Sequence, residues 1–76
     1  MTDVTEILDA RGLNCPLPIL KTRKAIDRLS AGEVLEVISS DPGSVKDMAT
    51  FCNETGNHLV SSSESVDGYV FLIAKT

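Results

Sequence analysis

Cys15 stands in the run Asn14-Cys15-Pro16-Leu17-Pro18 and is one of only two cysteines in the chain. A cysteine acts as a nucleophile through its thiolate, so its surroundings decide whether it does chemistry. Proline fits the first turn of a helix, where its missing N–H would have no partner. The spacing therefore predicts Pro16 at the first helical position, Pro18 within the first turn, and Cys15 at or beside the cap. There the positive end of the helix dipole favours a thiolate by about 1 kcal/mol at most when exposed. The prolines limit this effect by deleting amide donors, which leaves the N–H groups of Leu17 and Ile19 to carry it. Arg11 adds to it if its loop folds back, and Asp41 opposes it. The plainer alternative is that the run only starts a helix, with Cys15 an indifferent neighbour of the cap.

The second cysteine reads differently. Val45, Met48, Ala49 and Cys52 fall at i, i+3, i+4 and i+7, a single apolar stripe predicted to face a sheet. Cys52 is thus expected in the core, inert as a small hydrophobe, and is not a resolving partner for Cys15.

Other chemistries find little support. His58 is the only histidine and opens a strand, which suits a surface residue more than a general base. Cys15, Cys52 and His58 lack any close paired-ligand spacing, so no metal site is expected. The chain holds no Gly-rich phosphate loop and no C-x-x-C pair. Its three aromatics are not interleaved with basic residues, which argues against a stacking platform for RNA. One accessible thiol without base, metal or substrate cavity suits a group carrier, with a larger partner supplying the chemistry.

The elements that position Cys15 can be read on either side of it. Residues 6–10 (EILDA) form a strand candidate, followed by a helix from Pro16 to about Leu29 that Gly32 closes. Residues 34–39 (VLEVIS) read as a strand, residues 41–43 (DPG) as a turn. Ser44 and Asp47 then have the spacing of a capping box on a second helix that Gly56 ends. Two last strands, HLVSSSE and YVFLIAK, join through a hairpin in which Asp67-Gly68 supplies the positive φ angles. The uninterrupted apolar run Val70–Ala74 suits a central strand and its serine-rich partner an edge. The expected class is α+β: a two-layer α/β sandwich with a mixed four-stranded sheet and two helices on one face. A helical crossover between the first two strands implies that they run parallel. The loops holding Cys15 and Asp41 then leave the sheet at the same end, where open α/β sheets tend to bind ligands.

On the first helix Ile19, Ile26 and Leu29, with Thr22 and the stem of Arg23, face one way. Leu17, Lys21, Lys24 and Arg28 line the opposite side as a basic stripe beside the thiol. It reads either as a solvated helix face or as a docking rail for acidic partner proteins. Residues 11–28 hold five cations against Asp27 alone, although the chain as a whole carries a net charge of −4. That balance does not suit general nucleic-acid binding. Seventy-six residues make one domain, spanning residues 1–76, because so short a chain buries only about 60% of its unfolded surface. No apolar run is long enough to cross a bilayer and the N-terminus is acidic, so a cytoplasmic protein with free thiols is expected.

The segment LDARGLNCPLPILKTRKAI, with Asp9, Gly12, Cys15, Pro16 and Pro18, resembles the N-terminal signature of the TusA/SirA sulfur-carrier family. The resemblance continues through SDPGSVKDMATFCNETGNHLV and so covers nearly the whole chain. It implies the order βαβαββ, in agreement with the elements above. It also implies that Cys15 carries sulfane sulfur as a persulfide, shaped by Gly12, Pro16, Pro18 and Asp41, and needs no separate cofactor or metal. The implied partners are a cysteine desulfurase or rhodanese-like donor and an acceptor protein, contacted through Leu17, Lys21, Lys24 and Arg28. Transfer RNA 2-thiolation, sulfur oxidation and molybdenum cofactor assembly are the routes that such carriers serve. The expected protein is a monomeric carrier with sulfurtransferase activity, without direct contact to nucleic acid or membrane. Two rivals make different predictions: a regulatory or RNA-binding module needs the basic helix but not Cys15, and a redox-sensing thiol needs no sulfur donor.

Overall fold

The computed structural model of the protein describes residues 3–14, 16–66 and 68–76, and its elements follow the expected order. They are β1 (Glu6–Ala10), α1 (Leu17–Asp27), β2 (Val34–Ser39), α2 (Ser44–Thr55), β3 (His58–Ser65) and β4 (Gly68–Ala74). The sheet order is β1-β2-β4-β3. β1 and β2 are parallel, joined by the α1 crossover, and both pairs made by β4 are antiparallel. The apolar run thus lies inside the sheet and the serine-rich strand at its edge.

Alternation along the strands sorts the side chains onto two faces. Leu8 and Ala10 of β1, Leu35, Val37 and Ser39 of β2, and Phe71 and Ile73 of β4 share one face by register. Both helices cover that face, α1 over β1 and β2, α2 over β3 and β4. α1 buries Pro18, Thr22, Ala25 and Ile26, and α2 buries Ser44, Met48, Phe51 and Cys52. Burial of each large apolar side chain contributes roughly 1.5–3 kcal/mol. The other face, with Ile7, Glu36, Ile38, Val70 and Leu72, has no helix over it, and Ile7 remains 62% exposed.

Several local expectations are corrected. The α2 stripe is rotated: Val45 and Ala49 are exposed, while Ser44 and Phe51 join Met48 and Cys52 inside. Phe51 buries far more apolar area than Ala49, which decides between two stripes that share Met48 and Cys52. Ser44 tolerates burial because its hydroxyl donates to the Asp41 carbonyl. It is accordingly no capping residue; Gly43 holds the cap position without a side-chain hydrogen bond, and Asp47 donates its amide to the Gly43 carbonyl. α1 runs from Leu17 to Asp27, with Pro16 at the cap and Pro18 at the second helical position, one step from the expected register.

The β3–β4 turn differs too. Ser65 pairs with Gly68, so the connecting residues are Val66 and Asp67, and Asp67 lies outside the described residues. Gly68 belongs to the strand at φ +129°, where an added Cβ would collide with the Ser39 carbonyl oxygen. Backbone strain and collision together predict that Gly68→Ala costs about 2 kcal/mol or more, measured as a loss of unfolding free energy in urea. A loss under about 0.5 kcal/mol would mean that the strand start shifts freely.

Candidate functional site

The site grows from the carboxyl ends of β1 and β2. Beyond Ala10 the chain turns back, with the Leu13 amide donating to the Ala10 carbonyl at 3.3 Å and Gly12 at φ +85°. Arg11 is engaged by the acidic residue two positions back. Its amide, Nε and terminal guanidinium nitrogen all donate to the Asp9 carboxylate, at 3.1, 2.9 and 3.0 Å. Those bonds, the side-chain ones first, hold the Asp9 carboxyl down at about 2. Leu13 turns inward and packs on the core, anchoring the middle of the loop.

Cys15 itself lies outside the described residues. The residues on either side of it in the chain, Asn14 and Pro16, are exposed, as is Leu17. Leu17 donates its amide to the Asn14 carbonyl at 2.8 Å, so one of the two amides assigned to a thiolate is already engaged. Pro18 is buried, and its carbonyl accepts from the Thr22 hydroxyl at 2.8 Å. The helix start is therefore rigid, and it offers a thiolate less amide stabilisation than the spacing alone implies.

A second loop leaves the sheet at the same end. The Asp41 amide donates to the Ser39 hydroxyl at 3.2 Å, and Asp41 Oδ1 accepts from the Gly43 amide at 3.1 Å. The two loops touch, because the Gly12 amide donates to the Ser40 hydroxyl at 2.9 Å. Gly12, Pro16 and Asp41 are thus gathered at one end of the sheet. Tyr69, the second residue of β4, lies opposite Ser39, and its hydroxyl is pushed up by burial first, then by Glu64 and Asp41.

On α1 the predicted stripe is exposed along its length: Leu17, Lys21, Lys24 and Arg28. Arg28 is committed to Glu6 Oε2 at 2.8 Å, whereas among the described residues neither Lys21 nor Lys24 has an ion-pair partner. Leu20 was missed by the sequence reading: it is 48% exposed beside Leu17 at 45% and extends the apolar end of the stripe. The sequence reading also missed a groove of about 250 Å³ between the helices, running from Pro16 past Ile19 and Arg23 to Phe51 and Glu54. Arg23 lies over the Phe51 ring at 5.3 Å, a contact foreshadowed only by the long stem assigned to the inner side of α1. Cys52 is 4% exposed, and burial pushes its thiol up. Among the described residues no group of His, Cys, Asp and Glu is arranged to hold a metal ion. Among the described residues no helix is long and apolar enough to cross a membrane.

Comparison with known proteins places this geometry. A family model described as sulfurtransferase TusA matches residues 6–75. The chain is 51% identical over 76 residues to the sulfur carrier protein TusA of Allochromatium vinosum, covering 100% of both. It is 42% identical to the protein of the same name from Pseudomonas putida strain W619, over 99% of this chain and 96% of that one. In fold it is similar to the SirA-like protein of Desulfitobacterium hafniense, with a TM-score of 0.78 and 24% identity over 92% of this chain and 95% of the other. By sequence match along nearly its whole length, the chain belongs to the TusA family.

Proposed function

We propose that the protein is a sulfur carrier that holds sulfane sulfur on Cys15 as a persulfide and relays it between two partner proteins. The observation that carries this reading is the open strand-to-helix junction. Asn14, Pro16 and Leu17, the chain neighbours of Cys15, are all exposed, so a partner's reactive group can approach this part of the chain. The names of the relatives support the same role.

In the first step the Cys15 thiolate attacks the outer sulfur of a persulfide on a cysteine desulfurase or rhodanese-like donor. The donor's S–S bond breaks, its cysteine leaves as a thiolate, and Cys15 becomes the persulfide. In the second, an acceptor protein's thiolate attacks that outer sulfur and Cys15 leaves as a thiolate. Neither step needs an external oxidant, since one sulfane sulfur moves between thiols with no net change in oxidation level. The prolines keep the junction stiff during both exchanges, and no resident cofactor or metal enters. The acceptor sets the route, whether transfer RNA 2-thiolation, sulfur oxidation or molybdenum cofactor assembly. We place the carrier in the cytoplasm, where reducing conditions keep such a thiol free.

The test is to incubate the protein with a cysteine desulfurase and cysteine without reductant, then with a rhodanese and with polysulfide, and to map added sulfur by peptide mass. Sulfur on Cys15 that a second thiol protein removes supports the reading; failure of all three donors to load it sinks the reading.

The exposed cations give a second prediction. The double change Lys21→Glu with Lys24→Glu is expected to slow loading from an acidic-faced donor by roughly tenfold at low salt. The deficit should shrink as salt screens the charges. A rate that ignores both the substitution and the ionic strength would remove α1 from the docking surface.

A further inference from the structure

We infer that Ser40 is a positioning residue for sulfur transfer, fixing the loop that carries Cys15 against the second loop at the same end of the sheet. This rests on the carrier reading above and adds to it a residue that chain order alone does not link to the thiol.

Ser40 is a fixed point. Ser39, immediately before it, is fully buried at the end of β2, opposite both Ala10 and Tyr69. Asp41, immediately after it, is anchored by its amide to the Ser39 hydroxyl, by its carboxylate to the Gly43 amide and by its carbonyl to Ser44. Gly68, with no Cβ, lets β4 close against the Ser39 carbonyl from the other side. A hydroxyl held on so constrained a backbone is a preorganised acceptor.

The group it accepts from is the amide of Gly12, at 2.9 Å and 28 residues away in sequence. Gly12 needs its positive φ of +85° and not extra space, since an added Cβ would meet nothing within 4 Å. The glycine thus turns its N–H toward Ser40 in a conformation that other residues rarely adopt. The bonds from Arg11 to Asp9 and from Leu13 to Ala10 close the turn upon β1. The Gly12–Ser40 bond instead crosses to the neighbouring loop, three residues before Cys15 in the chain. Because Ser40 and Gly12 are both exposed, removing the hydroxyl leaves water to satisfy the amide, and the fold is expected to survive. What it removes is the bias of the loop toward one position. A neutral hydrogen bond of about 1 kcal/mol corresponds to about a fivefold bias.

The experiment compares wild type, Ser40→Ala and Ser40→Thr. The readouts are the single-turnover loading rate against desulfurase concentration, hydrogen exchange of the Gly12 amide, and thermal melting. In Ser40→Ala the maximal loading rate is expected to fall by about three- to tenfold while the half-saturating donor concentration and the melting temperature hold. Gly12 exchange should rise by a similar factor, and Ser40→Thr, which keeps the hydroxyl, should restore both. Loading by Ser40→Ala within twofold of wild type overturns the inference, and so does a Ser40→Thr protein that behaves like the alanine variant. If wild type itself takes no sulfur from any donor, the carrier reading falls. Gly12 exchange then decides separately whether Ser40 holds the loop: an unchanged rate in Ser40→Ala overturns that as well.

Discussion

Replacing Cys15 with serine is expected to abolish sulfur loading, whereas replacing Cys52 with serine leaves loading in place. A serine hydroxyl is almost wholly un-ionised at neutral pH and does not hold sulfane sulfur, so the loss at position 15 should exceed about a hundredfold. Cys52 offers neither access nor ionisation, being almost fully buried on the inner face of α2 with its thiol pushed up by burial. Its replacement does put a hydroxyl among Met48, Phe51 and Phe71, at a cost of about 1–3 kcal/mol. Loading should therefore be read at a temperature where circular dichroism shows both variants folded. Intact mass after treatment with desulfurase and cysteine gives the answer directly. Sulfur retained by Cys15→Ser would end the carrier reading. Sulfur lost from a folded Cys52→Ser would show a second thiol in the relay, for which the buried position gives no route. Peroxide treatment of the same three proteins separates the redox-sensing rival, which needs a sulfenic acid or disulfide at Cys15 with no donor present.

What the sequence made legible was what period and punctuation encode. Apolar runs broken by Gly32, Gly43, Gly56 and the Pro42 turn gave six elements in the right order, and β1 and β2 fall where they were expected, while α2 starts one residue before the expected capping box places it. The parallel pairing of β1 with β2 follows from a helix lying between them. The basic stripe was legible because its cations have no place inside. The phase of α2 was not. Two stripes share Met48 and Cys52, and counting apolar residues favours Val45 and Ala49 over Ser44 and Phe51. Only the partner surface tells that a phenylalanine fills the space and that Ser44 finds the Asp41 carbonyl. The candidate site divides in the same way. Cys15, Pro16 and Pro18 stand out by type and spacing, but Ser40 looks like any loop serine until topology brings it to Gly12. Arg11 reads as support for the thiolate if its loop folds back, and no pattern in the sequence shows its guanidinium closing on Asp9 two residues back. Contacts across many residues, and choices between equally polar local partners, leave no periodic trace.

Phe71→Ala is expected to be the most damaging single change in the core, at about 3–5 kcal/mol of unfolding free energy. Phe71 is fully buried in β4, the strand that pairs with both β2 and β3, and its register partners are Val37 on one side and Ser62 on the other. Ser62, exposed on the edge strand, has no apolar bulk to move into the space. Val37 is short and branched, with few rotamers to offer, so the cavity would persist and add its own cost to the lost burial. A chain of 76 residues has a total stability of only roughly 4–11 kcal/mol. One truncation thus removes a large share of it, and much of the population would be unfolded on warming. Ile7→Ala supplies the contrast: Ile7 lies on the face without a helix, is mostly exposed, and should cost less than about 1 kcal/mol. Urea unfolding of the two variants checks the pair. A Phe71→Ala cost below about 1.5 kcal/mol would mean that α2 settles into the gap, and that the helix layer is softer than its packing suggests. The result bears on function through β2. Its far end carries Ser39, Ser40 and Asp41, so a sheet that loosens at Phe71 also loosens the support of the loop leading to Cys15. A loading rate that falls in a still-folded Phe71→Ala protein, with Gly12 exchange rising alongside it, would show that the core sets the position of the transfer loop as well as the stability of the domain.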